Sequence, residues 1–262
     1  MNIHDFAKRK RQGVPISMVT CYDAWSAALI AETDIDCVLV GDSLAMVVYG
    51  HETTLPVDVD TMAAHTAAVR RGAPGKFVIG DMPFLSYRRG LASAVDSVGA
   101  LMRAGAQAVK LEGAAGNVEL IRHLVESGVP VMGHLGLTPQ SVHQLGGFKV
   151  QARDEGAVSV LSDHALVLQD AGCFALVLEA VPAAVATEVT KALEIPTIGI
   201  GAGSGVDGQV LVLHDLLGVN TAFRPKFVRT WLDGSQLIRE ALQSYHRDVV
   251  EGTFPNGEES YS

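Results

Sequence analysis

Apolar positions along the chain gather into short, nearly continuous runs rather than alternating with polar ones. Eight stand out: Ile16–Thr20, Cys37–Gly41, Phe77–Gly80, Ala108–Leu111, Val129–Gly133, Phe174–Leu178, Thr197–Ile200 and Val210–Leu213. Short apolar runs of this kind are what parallel strands need when both faces are covered. Between them the spacing turns helical or Ala-rich, over Asp23–Thr33, Asp58–Arg71, Ala92–Ala104, Asn117–Ser127, Ala157–Ala171, Pro182–Leu193 and Ser235–Val250. Gly72, Gly105, Gly128 and Gly172 each follow such a stretch, where a glycine stops a helix. Strands alternating with helices predict parallel βαβ units. Eight such units in 262 residues predict an α/β fold, a (βα)8 TIM barrel formed as a single domain over 1–262. An open doubly wound sheet has the same periodicity, because the pattern does not report closure.

Composition narrows the class. The chain is 48% hydrophobic with a mean hydropathy of +0.25, yet no run approaches the roughly 20 apolar residues of a membrane span. The first residues, MNIHDFAKRKRQG, carry charge with no apolar stretch behind it, so no secretory signal is expected. The basic cluster Lys8–Arg11 reads as a solvated face. A net charge of −9 argues against nucleic-acid or anionic-membrane partners. Cys21, Cys37 and Cys173 are widely spaced with no CxxC motif, which argues against a zinc-thiolate site and fits free thiols in a reducing cytoplasm.

Polar residues cluster at the exits of the apolar runs. Gly41 leads into Asp42 and Ser43, Gly80 into Asp81, Leu111 into Glu112, Gly133 into His134 and Leu178 into Glu179. In a barrel the C-terminal strand ends form one rim, and active sites lie there. A single acid at a strand end is as well explained as a helix cap. Four carboxylates converging would repel one another and raise their pKa values unless a cation or a proton sat among them. Oxygen ligands without thiolates favour Mg²⁺ over zinc. Lys110 and Glu112 are two residues apart, so on a strand they share a face; Lys110 is then an ion-pair partner of the acids or a Schiff-base nucleophile. His134 at the rim is a ligand, an acid–base group or a satisfied structural histidine. Two glycine-rich stretches stand apart. Gly199–Gly205 is a tight loop or an anion cradle. Gly133–Lys149 is poor in core residues and reads as a mobile lid, with Leu44–Val57 as a second candidate.

Several blocks carry a family resemblance: Val40-Gly41-Asp42-Ser43-Leu44, Thr54-Leu55-Pro56-Val57, His65 to Gly72, Asp81-Met82-Pro83-Phe84, Val109 to Gly113, Gly133 to Ser141, Leu178-Glu179 and Ile198 to Gly203. From about Thr20 to Phe254-Pro255 the chain resembles the ketopantoate hydroxymethyltransferase (3-methyl-2-oxobutanoate hydroxymethyltransferase) family. The resemblance implies a barrel of the phosphoenolpyruvate/pyruvate-type superfamily. It implies transfer of a hydroxymethyl group from 5,10-methylenetetrahydrofolate to 3-methyl-2-oxobutanoate through a Mg²⁺-stabilised enolate, giving 2-dehydropantoate (ketopantoate) for pantothenate biosynthesis. By residue, it implies Asp42, Asp81 and Glu112 at the Mg²⁺. Asp42, Ser43, Asp81, Lys110 and His134 would contact the oxo acid, and Glu179 would be the proton acceptor. It further implies a cytoplasmic homo-oligomer, commonly a decamer. Two stretches depart from the family pattern: Ala114-Ala115, beside Glu112, and Asn220–Phe227. Three other readings share part of this chemistry. They are a lyase or mutase of the phosphoenolpyruvate mutase and isocitrate lyase type, a Schiff-base aldolase using Lys110, and a non-catalytic oxo-acid binder.

Overall fold

The computed structural model describes residues 1–221 and 225–261. Eight parallel strands close into a barrel in chain order, each pairing with the next and the last with the first. They are β1 (Ile16–Thr20), β2 (Cys37–Val40), β3 (Phe77–Asp81), β4 (Ala108–Glu112), β5 (Val131–Gly136), β6 (Ala175–Glu179), β7 (Thr197–Ile200) and β8 (Gly208–Leu211). The helices are α1 (Ile3–Gln12), α2 (Ala24–Ala31), α3 (Leu44–Val47), α4 (Val59–Gly72), α5 (Leu91–Arg103), α6 (Val118–Glu126), α7 (Val142–Leu145), α8 (Glu155–Asp170), α9 (Ala183–Ala192), α10 (Leu213–Leu216) and α11 (Gly234–Glu251). Closure excludes the open sheet. The chain divides into two compact units, Met1–Val212 and Leu213–Ser262, and all eight strands lie in the first. Of the divergent segment Asn220–Phe227, residues 222–224 lie outside the described residues. Among the described residues no helix is long and apolar enough to cross a membrane.

Strand limits differ from the apolar runs for a physical reason. β3, β4 and β6 end on Asp81, Glu112 and Glu179, and β5 runs on through His134 to Gly136. The ladder joins backbone groups and is indifferent to side-chain polarity: Glu112 pairs with His134, and Gly136 with Glu179. β5 begins only after Pro130, which has no N–H to give the ladder. The loop between β7 and β8 uses its glycines for packing. A Cβ at Gly203 would lie 2.4 Å from the Ala183 side chain, and one at Gly205 would lie 1.9 Å from Thr187 Oγ1. Close approach to α9 therefore accounts for that stretch without an anion.

The lower barrel is filled by inward residues from all eight strands, among them Met18, Leu39, Phe77, Ile79, Met132, Val177 and Val210. Its base is closed by α1, an element the sequence reading passed over. Asn2 opens this helix with a reciprocal capping box: its side chain accepts from His4 N, and Asp5 Oδ2 accepts from Asn2 N at 2.7 Å. Phe6 is fully buried and meets Phe77 and Phe174 edge to face, with ring centroids 5.7 and 5.1 Å apart. Two cations of the basic cluster are not simply solvated. Arg9 donates to Asp36 at 2.7 Å, and Lys10 to Asp207 at 2.8 Å, which pins the helix beneath the barrel. Phe6→Ala is expected to cost about 3–5 kcal/mol, read as a drop in denaturation midpoint with an unchanged m-value. A loss below about 1 kcal/mol would mean that α1 adds little to the closed barrel.

Candidate active site

Side chains alternate in and out along each strand, and the inward rows carry the apolar core upward into a polar layer. On β3 the row is Phe77, Ile79, Asp81; on β4 it is Ala108, Lys110, Glu112; on β5, Met132 and His134; on β6, Ala175, Val177, Glu179. The lower members belong to the barrel core. The upper members stand together at the C-terminal mouth. Asp42 is two residues past the end of β2 and arrives by a turn in which Leu44 N donates to Gly41 O at 3.1 Å. Its own N–H donates to Asp81 Oδ2 at 3.2 Å.

The pocket is buried and densely charged. Asp42, Asp81, Lys110, Glu112 and His134 are each under 5% exposed, while the Glu179 side chain keeps 18% of its surface. Lys110 Nζ stands 2.8 Å from Asp81 Oδ1, an ion-pair distance without the alignment of a hydrogen bond, and 3.3 Å from His134 Nδ1. Burial alone would lower the lysine pKa. The charges of Asp81, Glu112 and Asp42 outweigh it and hold the ammonium above its ordinary range. Lys110 is thus an ion-pair partner, poorly suited to a Schiff base, which needs a neutral amine. His134 lies between two acids, with Nδ1 3.6 Å from Glu112 Oε1 and Nε2 3.2 Å from Glu179 Oε2. Burial and Lys110 both push its pKa down, but the two glutamates raise it to about 9, and the ring links the buried acids to the mouth. Burial first, then the charges of Asp81 and Glu112, push the Asp42 carboxyl well above the usual range.

Ser43 sits beside Asp42, with its Oγ 2.8 Å from the buried Tyr22 hydroxyl. The seven residues expected at the site thus share one end of the barrel. Gln140 was not among them. It is buried, and Leu137 and Val142 around it are buried too. The stretch expected to be a mobile lid is therefore packed down in its first half, and only the part from His143 onward is largely exposed. The Pro139-Gln140-Ser141 turn had looked like loop because its contacts run to other strands, which local pattern does not report. Ala114-Ala115 leaves the backbone after Glu112 well held: Asn117 Nδ2 donates to Glu112 O at 2.9 Å and Gly113 O at 2.8 Å, and Arg88 donates to Ala115 O at 2.9 Å.

The residues present fit a divalent cation. Asp81 Oδ1 and Glu112 Oε1 are buried with no hydrogen-bond partner, and oxygen donors without thiolates are the choice of a hard ion. Among the described residues no three Asp, Glu, His or Cys side chains enclose an ion by themselves. An ion held here would need water or substrate oxygens to complete its coordination, as is usual for Mg²⁺. A cleft of about 610 Å³ at the opposite end of the barrel is lined by Asp5, Arg9, Asp36 and Lys76 among others, and several of these are already engaged. Arg9 meets Asp36, and Lys76 donates to Ile35 O at 2.7 Å.

Gly136 packs against the backbone of Glu179. Its φ is +90°, and a Cβ there would lie 2.2 Å from Glu179 O. Gly136→Ala is expected to displace the Glu179 backbone and lower activity at least about tenfold, since small misplacements of a reacting group are costly. Activity equal to the parent would show that the backbone of Glu179 tolerates the shift.

Three comparisons bear on what this site belongs to. The profile of the family described as ketopantoate hydroxymethyltransferase matches residues 1–257. The chain is 62% identical over 260 residues to a 3-methyl-2-oxobutanoate hydroxymethyltransferase of Bdellovibrio bacteriovorus, covering 99% of each. It is 55% identical over 257 residues to one of Coxiella burnetii, covering 98% of this chain and 97% of that protein. In fold it is similar to a 2,3-dimethylmalate lyase of the PEP mutase/isocitrate lyase superfamily, with a TM-score of 0.64 at 18% identity over 94% of this chain and 87% of that one. A closed barrel whose mouth gathers these acids, joined to identity of this extent along nearly the whole length, makes the chain an enzyme of the ketopantoate hydroxymethyltransferase family.

Proposed function

We propose that the enzyme removes the C3 proton of 3-methyl-2-oxobutanoate and joins the resulting carbanion to the one-carbon unit of 5,10-methylenetetrahydrofolate. Water supplies the hydroxyl oxygen, and ketopantoate and tetrahydrofolate are released, a step of pantothenate biosynthesis. The reading rests most on one observation, the line Glu112–His134–Glu179. It carries a carboxylate out to the rim and leaves it partly exposed, while the other acids stay buried.

Each residue has a task in this chemistry. Glu179 accepts the C3 proton on its carboxylate. A carboxylate on a rigid strand end, held by a histidine, suits general-base work. His134 sets its Nε2 3.2 Å from Glu179 Oε2, an ion-pair distance without the alignment of a hydrogen bond. Lys110 supplies a cation at the pocket floor for an anionic substrate, and Ser43 a hydroxyl at the rim. Asp42, Asp81 and Glu112 would hold Mg²⁺, two of them through oxygens that accept no hydrogen bond. The metal, when bound, acts as a Lewis acid toward the keto oxygen where negative charge develops. The reading extends to a homo-oligomer, a decamer, in the cytoplasm. Helix α11 exposes Leu237, Ile238, Leu242 and Tyr245 along one stripe, and the three cysteines are free thiols.

The test is proton NMR of 3-methyl-2-oxobutanoate in D₂O with the protein, with and without Mg²⁺ and without folate. Metal-dependent disappearance of the C3 proton signal is expected. Absence of exchange, persisting after tetrahydrofolate is added, would refute the oxo-acid assignment.

A further inference from the structure

Gln140 makes four hydrogen bonds from a buried position, and three of them reach the acid cluster or its immediate backbone. Its Nε2 donates to Asp42 Oδ2 at 2.9 Å and to Met82 O at 2.8 Å. Its backbone N–H donates to Glu112 Oε2 at 3.0 Å. Its Oε1 accepts from the Tyr87 hydroxyl at 2.7 Å. Both amide hydrogens and the carbonyl are thus committed, and the orientation of the amide is determined, because Met82 O can only accept and must face the nitrogen, which leaves the oxygen to the Tyr87 hydroxyl. The acids Gln140 touches follow two different strands, β2 and β4, while Met82 follows β3 and Gln140 itself follows β5. One residue therefore ties together the exits of four strands.

The choice of oxygens is informative. Gln140 takes Oδ2 of Asp42 and Oε2 of Glu112, while Glu112 Oε1 stays without a hydrogen bond. A carboxylate pinned by one oxygen keeps the other for a ligand. Donors behind ligating groups fix their rotamers and commonly govern affinity as strongly as some ligands do.

We infer that Gln140 is a positioning residue for the divalent-cation site: its amide and backbone N–H hold Asp42 and Glu112 in the rotamers that turn their second oxygens to the ion, and Tyr87 orients the amide. This rests on the metal reading of the acid cluster. It also gives the packed half of the β5–α8 connection a task, since Gln140 reaches the acids only when Leu137–Val142 is seated.

Mn²⁺ binding, followed by EPR of the free ion without substrate, tests both levels. The parent enzyme is expected to bind Mn²⁺. Gln140→Glu sets an oxygen against Asp42 Oδ2 and Met82 O, and should weaken binding roughly 10-fold or more. Tyr87→Phe removes only the bond that orients the amide, and should shift affinity the same way by less. Thermal unfolding is measured on each variant. Affinity lost in a variant that melts close to the parent supports positioning, because a purely structural role would not move the ion. Unchanged affinity in folded Gln140→Glu overturns the inference and leaves the metal reading intact. If that variant does not fold, unchanged affinity in Tyr87→Phe overturns it instead. A parent that binds no Mn²⁺ removes the metal reading and this inference together.

Discussion

Glu179→Gln is expected to lose C3 proton exchange from 3-methyl-2-oxobutanoate by about 10²–10⁴-fold, with affinity for the oxo acid and for Mg²⁺ close to the parent's. The amide keeps the size and shape of the carboxylate, so the backbone pairing of Gly136 with residue 179 and the packing of β6 should survive. What disappears is the lone pair that takes the proton. A second change follows from the neighbour. His134 Nε2 lies 3.2 Å from Glu179 Oε2, and without that charge one of the two influences that raise the ring's pKa is gone. The measurement is the rate of C3 signal loss in D₂O, with substrate binding followed separately by calorimetry. Exchange at the parental rate would mean that another group is the base. Loss of substrate binding together with exchange would assign Glu179 to binding instead.

Asp81→Ala is expected to have the largest effect on stability at the site. Asp81 is 1% exposed and stands 2.8 Å from a lysine that is equally buried. Removing one partner of such a pair leaves an uncompensated charge and typically costs about 3–5 kcal/mol. The same substitution deletes a carboxylate of the acid cluster, one of whose oxygens accepts no hydrogen bond, so Mg²⁺ affinity should fall with it. Asp81→Ala combined with Lys110→Met separates the two effects. Much of the stability should return, because the stranded charge is gone, while metal affinity stays low. If the double variant is no more stable than Asp81→Ala, the pair does not account for the cost. If Asp81→Ala binds Mg²⁺ as the parent does, Asp81 is no ligand.

How far the site was legible in the sequence depends on the residue. Asp81, Lys110, Glu112, His134 and Glu179 follow from parity: four lie two places beyond an apolar inward residue of their strand, and Glu112 lies two beyond Lys110, so a barrel must stack them above its core. Asp42 and Ser43 follow from position, at the exit of a run, although a turn rather than parity delivers them. Gln140 and Tyr87 carried no such signal, since both lie in irregular segments. Phe6 was hidden by the basic residues after it. A helix with one buried aromatic and a polar remainder differs little in pattern from a solvated one, until the barrel base it fills is known.

The sequence by itself determined the number and order of strands, the helices between them and the row of polar side chains at the strand ends. These are local: residue type, a period of two or 3.6, and glycine at the stops act within a few positions. The tertiary structure alone decided that the sheet closes, that α1 seals its base, that His134 lies between Glu112 and Glu179, and that Gln140 joins Asp42 to Glu112. Those relations depend on the tilt and stagger of eight strands taken together and on burial, which sets which charges must find partners.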